Sequence, residues 1–256
     1  MTRIVLTGAI VLYNNDENKL KNAIKSFLDT PINKKLYLID NSETNKLKNI
    51  YQSEEITYIH TGKNLGFGKA HNLVLNEISN KSKYHLVLNP DVYFEKDIIP
   101  LLIEHLLNKP ETGIIVPKIL YPNGEYQHSV RRFPKIYDFF IRRIPLFKNL
   151  FEKSFNNLNY LNIINKEPIN VQAVSGCFQL FRTDTFIKIN GFDTRYFMYM
   201  EDIDVCRKVK GINKFVTYVP EVVAYHHSEY GSKKSIKLLL IHFKSIFMYF
   251  LKWKFN

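Results

Sequence analysis

"YHLVLNPD", residues 84–91, carries the reading of the fold. Tyr84 to Leu88 read as a strand, and Pro90 closes it. Proline brings no N–H to a ladder and holds the preceding residue, Asn89, to extended backbone. Upstream the same kind of element recurs. Residues 4–12 (IVLTGAIVL), 35–40 (KLYLID) and 56–60 (ITYIH) are strand-like. Residues 17–28 (ENKLKNAIKSFL) set Leu20, Ile24, Phe27 and Leu28 on one side of a helix. Residues 67–79 and 97–107 read as further helices, the second with Pro100 in its first turn. Strands alternating with helices imply an α/β fold, a mainly parallel sheet covered on both faces.

Beyond residue 112 the pattern is less regular. "GIIVPKILYPNGEYQHSVRRFP" (113–134) reads as strand, turn at Asn123-Gly124, and strand. Residues 135–165 are basic and aromatic, and Arg131, Arg132, Lys135, Arg142 and Arg143 lie close in sequence. "INVQAVSGCFQLFR" (169–182) is a strand pair, or one strand with an irregularity at Gly176, and "FVTYVPEVVAYHH" (215–227) is a strand. No linker is visible, so a single domain, 1–256, is expected. Within it, 1–112 and 113–232 form two functional halves, and 233–256 forms a terminal basic amphipathic helix.

The chain has 256 residues, 45% hydrophobic and 14% aromatic, enough for a real core. Its two cysteines, Cys177 and Cys206, match no metal-ligand spacing and are expected to be buried thiols. The N-terminal apolar stretch is rich in β-branched residues and stops at Asn14, which suits a buried strand better than a signal peptide. No apolar run is long enough to span a bilayer. A cytoplasmic protein is the expectation. The net charge of +12 invites a nucleic-acid reading. The charge is unevenly placed, however: six lysines and no acid lie between Lys233 and Asn256, interleaved with bulky apolar residues. That composition suits a helix at a membrane surface, or one that docks on the core with its lysines solvated.

In a parallel sheet, ligands bind beyond the carboxyl ends of the strands. Asp40 falls there and could accept a hydrogen bond from a ring N–H or a hydroxyl, or serve as a turn or cap residue. The loop "TGKNLGFGKAHN" (61–72) lets a ligand approach its glycines, with Lys63 and Lys69 near, but matches neither a dinucleotide fingerprint nor a P-loop. The turn Asn89-Pro90-Asp91 puts an acid at a strand end, where it could hold Mg²⁺ or Mn²⁺ against a diphosphate. Finally, "YMEDIDVCRKV" (199–209) crowds Glu201, Asp202 and Asp204 into four positions of a basic chain. Acids favour a helix start. Asp204 stands three residues before Arg207, a spacing at which the two could pair.

Taken in order, "IVLYN", "LIDNSETN", "NLGFGKAHN", "LVLNPDV", "SGCFQLFRTDTFIKINGFDTRYFMYMEDIDVCRK" and "YHHSEYGSKKS" resemble glycosyltransferase family 2, enzymes of the GT-A fold. Within it they are similar to a bacterial rhamnosyltransferase-like branch. The resemblance runs almost end to end. It implies a Rossmann-like donor-binding half, 1–112, and an acceptor and catalytic half, 113–232. Tyr13, Asp40, Lys63, Asn64, Asn89 and Asp91 would bind a nucleotide-sugar donor, Asp40 at the base and Asn89 at a ribose hydroxyl. Asn89-Pro90-Asp91 matches the family's Asp-x-Asp motif with its first acid replaced. Asp91 would meet the metal, and His226 would complete the metal site, with His227 as a competing candidate. Asp202 would be the catalytic base, and Glu201 would support it.

The implied activity is a metal-dependent inverting transfer of a sugar, with L-rhamnose from dTDP-L-rhamnose as one candidate. The acceptor would be a glycan or lipid-linked oligosaccharide for surface polysaccharide, reached by an enzyme peripheral on the membrane. A UDP-hexose or UDP-N-acetylhexosamine transferase is the alternative within the family. A sugar nucleotidyltransferase would need a glycine-rich loop with Arg and Lys where "YNNDENK" stands. A non-catalytic carbohydrate- or nucleic-acid-binding module is the alternative outside enzymes. The retained Asp91, Glu201 and Asp202 speak against it, and no nucleic-acid partner is expected.

Overall fold

The computed structural model describes residues 4–136, 159–160, 167–228 and 236–254. The basic segment containing Arg142 and Arg143 therefore lies outside the described residues, as do residues 233–235 and 255–256 of the expected terminal helix. A nine-stranded sheet organises the rest. Strand β1 (Leu6–Leu12) pairs in parallel with β2 (Lys34–Asp40) and β4 (Tyr84–Leu88), and β2 with the edge strand β3 (Ile56–His60). Helix α1 (Glu17–Leu28) crosses between β1 and β2. It starts at Asp16, whose carboxylate accepts from the Lys19 N–H at 2.9 Å, a cap worth about 1 kcal/mol.

Side chains on β1 alternate between the two faces, as a strand requires. Leu6, Ile10 and Leu12 join one apolar cluster with Leu20, Ala23, Ile24 and Phe27 of α1 and with Ile99, Leu102 and Leu106 of α4 (Ile98–Asn108). Ala9 joins a second cluster on the other face, with Ala70, Val74 and Ile78. Gly8 lets α1 settle closely on the sheet, since a Cβ there would stand 2.4 Å from the Phe27 ring. Helices thus cover both faces, as expected.

The helix expected over 67–79 is divided into α2 (Phe67–His71), a 3₁₀ turn (Asn72–Val74) and α3 (Leu75–Ile78). The break falls at Asn72, whose amide grips the Phe192 backbone, accepting from its N–H at 2.9 Å and donating to its carbonyl at 2.8 Å.

The second half of the chain turns the sheet into a mixed one. After the turn 89–91 come β5 (Val92–Phe94) and, past α4, β6 (Thr112–Leu120). The short strand β7 (Val130–Arg131) pairs with β9 (Ala173–Val174), while β8 (Ile169–Val171) pairs with β11 (Phe215–His226). Strand β10 (Phe178–Arg182) enters antiparallel between β4 and β6. Strand β11 runs parallel to β6 but skips register between Val219 and Val223 before pairing with β5. Pro220 stands within that skip and cannot donate to a ladder.

Three helices complete the second face: α5 (Thr183–Lys188), α6 (Glu201–Gly211) and α7 (Ile236–Lys252). Helix α7 buries Ser245, Tyr249 and Phe250 against the core and leaves Ile236, Leu240, Phe243, Phe247 and Leu251 exposed. Those five recur at helical spacing on the side opposite the docked face. Docking and an apolar outer stripe therefore coexist on one helix. No described helix is long and apolar enough to cross a membrane.

Candidate active site

Asn89 and Asp91 sit on the turn that Pro90 forces after β4. The turn is fixed from the neighbouring strand, because the Asn89 N–H donates to the Cys177 carbonyl at 2.8 Å. The register skip in β11 then sets His226 opposite Val92, the residue after Asp91. His226 Nε2 lies 3.2 Å from Asp91 Oδ1 and 3.4 Å from Asn89 Nδ2. Its other nitrogen, Nδ1, is 2.7 Å from Gln127 Oε1 and donates to it. His227 is placed differently: its N–H donates to the Asp91 carbonyl and its ring leans on Tyr93. Of the two histidines, His226 faces the carboxylate.

Electrostatics binds this pair tightly. Burial disfavours charge on both partners. The Cys177 sulfur and the Asp91 carboxylate nevertheless raise the His226 pKa to about 10, and the His226 hydrogen bond and charge leave Asp91 below the ordinary carboxylate range. The donor set fits a divalent cation. One carboxylate and one imidazole nitrogen converge, and Gln127 fixes the tautomer that leaves Nε2 a lone pair once its proton is gone. Among the described residues no group of three or more His, Cys, Asp and Glu side chains comes together for a metal. A cation here would need ligands from a bound molecule, as Mg²⁺ and Mn²⁺ commonly take from phosphates.

The three acids of α6 meet three different environments. Glu201 is buried, its Oε2 has no hydrogen-bond partner, and burial followed by the charge of Asp202 pushes its pKa well above the ordinary glutamate range. Asp202 is partly exposed, with its Oδ1 accepting from the Ile203 N–H at 2.9 Å and its Oδ2 3.7 Å from Arg131. Gly176 keeps space beside it: a Cβ there would come to 3.4 Å from both the Asp202 Cβ and the Phe67 ring. Asp204 is fully buried. The expected partnership with Arg207 gives way to contacts with α7 and its end, Lys252 Nζ at 2.7 Å and Trp253 Nε1 at 2.8 Å, and with the Tyr196 hydroxyl at 3.3 Å. Arg207 lies over the rings of Phe133, Tyr249 and Trp253. The turn at Gly176–Cys177 joins the two acid sites, since Gly176 borders Asp202 and Cys177 anchors Asn89.

On the donor side the expected residues divide. Asp40 is fully buried with both oxygens in use, Oδ1 accepting from the Ser42 N–H at 2.9 Å and Oδ2 from the Tyr58 hydroxyl. It orders the end of β2 and does not face solvent. Asn64 spends its side-chain oxygen on the Gly66 N–H at 2.9 Å, shaping its own loop. Lys63 and Tyr13 are exposed and free to meet a ligand. Sequence reasoning missed Gln127 and Tyr58. Nothing local marks them, and each matters only through a partner on a distant strand.

Comparison with known proteins identifies the family and the fold. The family model for glycosyl transferase family 2 matches residues 9–189. The chain is 28% identical over 254 residues to the Escherichia coli K12 rhamnosyltransferase WbbL, covering 94% of this chain and 90% of that protein. It is 25% identical over 227 residues to the N-acetylglucosaminyl-diphospho-decaprenol L-rhamnosyltransferase of Mycobacterium tuberculosis, covering 83% of this chain and 73% of that protein. Among solved structures, GalNAc-T7 with UDP, GalNAc and Mn²⁺ superposes with a TM-score of 0.65 at 16% identity, over 88% of this chain and 43% of that one. The mannosyltransferase PcManGT of Pyrobaculum calidifontis, in complex with GDP-Man and Mn²⁺, gives 0.61 at 13% identity, over 90% and 59%. The likeness of these structures establishes the GT-A fold. The family match spans well over half of the chain, and this protein belongs to glycosyl transferase family 2.

Proposed function

We propose that this chain is a divalent-metal-assisted, inverting rhamnosyltransferase, moving L-rhamnose from dTDP-L-rhamnose onto a lipid-linked glycan. The observation that carries the reading is the Asp91–His226 pair joined through Cys177–Gly176 to Asp202. One side of that arrangement suits a leaving diphosphate, the other an attacking hydroxyl. Asp91 and His226 would hold Mg²⁺ or Mn²⁺, which supplies positive charge to the departing diphosphate. Tyr13 and Lys63 offer exposed contacts to the donor, while Asp40 supports the site from beneath through Ser42 and Tyr58.

The chemistry falls to Asp202. Its carboxylate accepts the proton as the acceptor O–H bond breaks. The freed oxygen forms a bond to the anomeric carbon, and the bond from that carbon to the diphosphate oxygen breaks on the opposite face, inverting the centre. Glu201, buried and with its pKa raised by that burial, is less suited than the partly exposed Asp202 to begin the step as a carboxylate. It leaves that role to its neighbour and keeps a hydroxyl with which to position the acceptor.

Similarity to two rhamnosyltransferases, one named for a diphospho-decaprenol acceptor, supports the sugar and the lipid-linked acceptor. The outer stripe of α7, with Lys237 and Lys244 exposed alongside, supports attachment to an anionic membrane surface. A screen of dTDP-rhamnose, UDP-glucose, UDP-N-acetylglucosamine and GDP-mannose, with and without EDTA, tests the reaction. Release of dTDP alone, abolished by EDTA, is expected; preference for a UDP-sugar would replace the donor. For the surface, Leu240→Ser with Phe247→Ser should cut binding to anionic vesicles by at least about tenfold, from the lost apolar burial. Equal binding by the variant and the parent chain would leave the stripe without this role.

A further inference from the structure

Tyr199 and Met200 are consecutive non-glycine residues with left-handed backbone, φ +70° and +71°. They stand immediately before Glu201. Such conformations crowd the Cβ and persist only where the surroundings over-determine them. Helix α6 also begins without a side-chain cap, so the backbone of this turn leads directly into its first residues. Two forces favour its relaxation. One is the backbone strain, and the other is the buried Oε2 of Glu201, which has no hydrogen-bond partner and would gain by reaching water.

The turn is held from two sides. On the donor side, the Phe67 N–H donates to the Phe197 carbonyl at 3.0 Å. Gly66 permits that approach, since a Cβ there would stand 2.2 Å from the same oxygen. On the other side is α7. Ser245 Oγ donates to the Met198 carbonyl at 2.8 Å, and the His242 ring lies 4.7 Å from that of Tyr199. Lys252 bridges Asp193 at 2.8 Å and Asp204 at 2.7 Å, pinning the segment before the turn to the helix after it. The Asp204 N–H closes the arrangement by donating to the Met200 carbonyl at 2.8 Å.

We propose that α7 is a brace for the strained Tyr199–Met200 turn, and that Ser245 and Lys252 are positioning residues that aim Glu201 and Asp202 at the acceptor. The proposal rests on the glycosyltransferase reading above for its catalytic consequence, but the mechanical part can be measured without turnover. A residue that merely filled space would alter stability throughout the fold; a brace alters the turn and the chemical step.

Ser245→Ala deletes one hydrogen bond and is expected to fold. Its kcat should fall by roughly tenfold or more with donor KM nearly unchanged, the signature of a lost transition-state arrangement. Amide exchange over residues 197–204 should quicken while β1 keeps its protection. Lys252→Met should deepen the kcat loss and Lys252→Arg should restore it; if Lys252→Met does not fold, Ser245→Ala decides alone. Unchanged exchange over 197–204 in folded Ser245→Ala overturns the brace whatever the activity. Faster exchange with an unchanged kcat overturns the positioning role. If the parent chain transfers no sugar from any donor, the functional reading falls, and the exchange measurement still judges the brace.

Discussion

Asp91 and Asp204 are both carboxylates held by a cationic neighbour, and their partners differ in whether they can leave. Asp91 faces His226, whose nitrogen can exchange its proton for another cation, and its side chain keeps 21% exposure. Asp204 has no exposure and faces Lys252, Trp253 and Tyr196, three donors held against it inside the fold. The first acid remains available to a ligand; the second is committed to the fold. Asp202, two residues from Asp204, belongs with the first kind. Its contact with Arg131 at 3.7 Å is too long for a direct hydrogen bond. Neighbours in sequence can thus have unrelated work, and the identity of the partner separates them.

Asp91→Ala should break the comparison most severely. Turnover should be abolished and Mn²⁺-dependent dTDP binding weakened, with the circular dichroism spectrum retained. Activity surviving in chelator-treated variant protein would remove Asp91 from the metal site. Asp202→Asn comes next. It keeps size and hydrogen bonding but cannot take the proton, so transfer should fall about 10²–10⁴-fold while donor binding changes little. Near-normal transfer by that variant would move the base elsewhere.

Gln127→Ala sharpens the case for an exchangeable partner. Without its Nδ1 acceptor, His226 loses its fixed tautomer, and Mn²⁺ affinity should drop about 10–100-fold by titration of the free ion. An unchanged affinity would make the Gln127 contact incidental. Glu201→Gln should have the smallest effect on transfer, within about tenfold, because glutamine mimics the protonated acid.

Stability should show the position of Glu201 more clearly. Its pKa is raised in the folded state, so above the ordinary glutamate range the unfolded chain has lost a proton that the folded chain keeps. Folded stability from this group therefore declines as pH climbs toward neutrality. Urea midpoints at about pH 5 and about pH 7.5 should show Glu201→Gln gaining on the parent chain at the higher pH. A constant difference would mean that Glu201 is ionised in both states.

Much of the first half of the chain was legible because its signals are local. Helix α1 and strand β3 begin and end where periodicity put them, and Pro90 marks the turn that carries Asp91. The acid cluster was visible, but its division was not. The expected Asp204–Arg207 pairing used helical spacing alone, whereas the observed partner, Lys252, stands 48 residues along the chain. Asp40 was placed correctly at a strand end. Its burial beneath Tyr58 comes from β3 lying beside β2.

The sequence by itself determined the alternation of strands and helices, the turns at Pro90 and Asn123-Gly124, and the family motifs, since each depends on residues within one or two turns of chain. Tertiary structure decided the rest: the antiparallel entry of β10 between β4 and β6, the register skip that turns His226 rather than His227 toward Asp91, and the docked and exposed faces of α7. These choices follow from which distant surfaces close-pack and which buried polar groups find partners. A carboxylate has the same local code whether its eventual neighbour is a lysine, a histidine or water, so only the folded chain assigns its role.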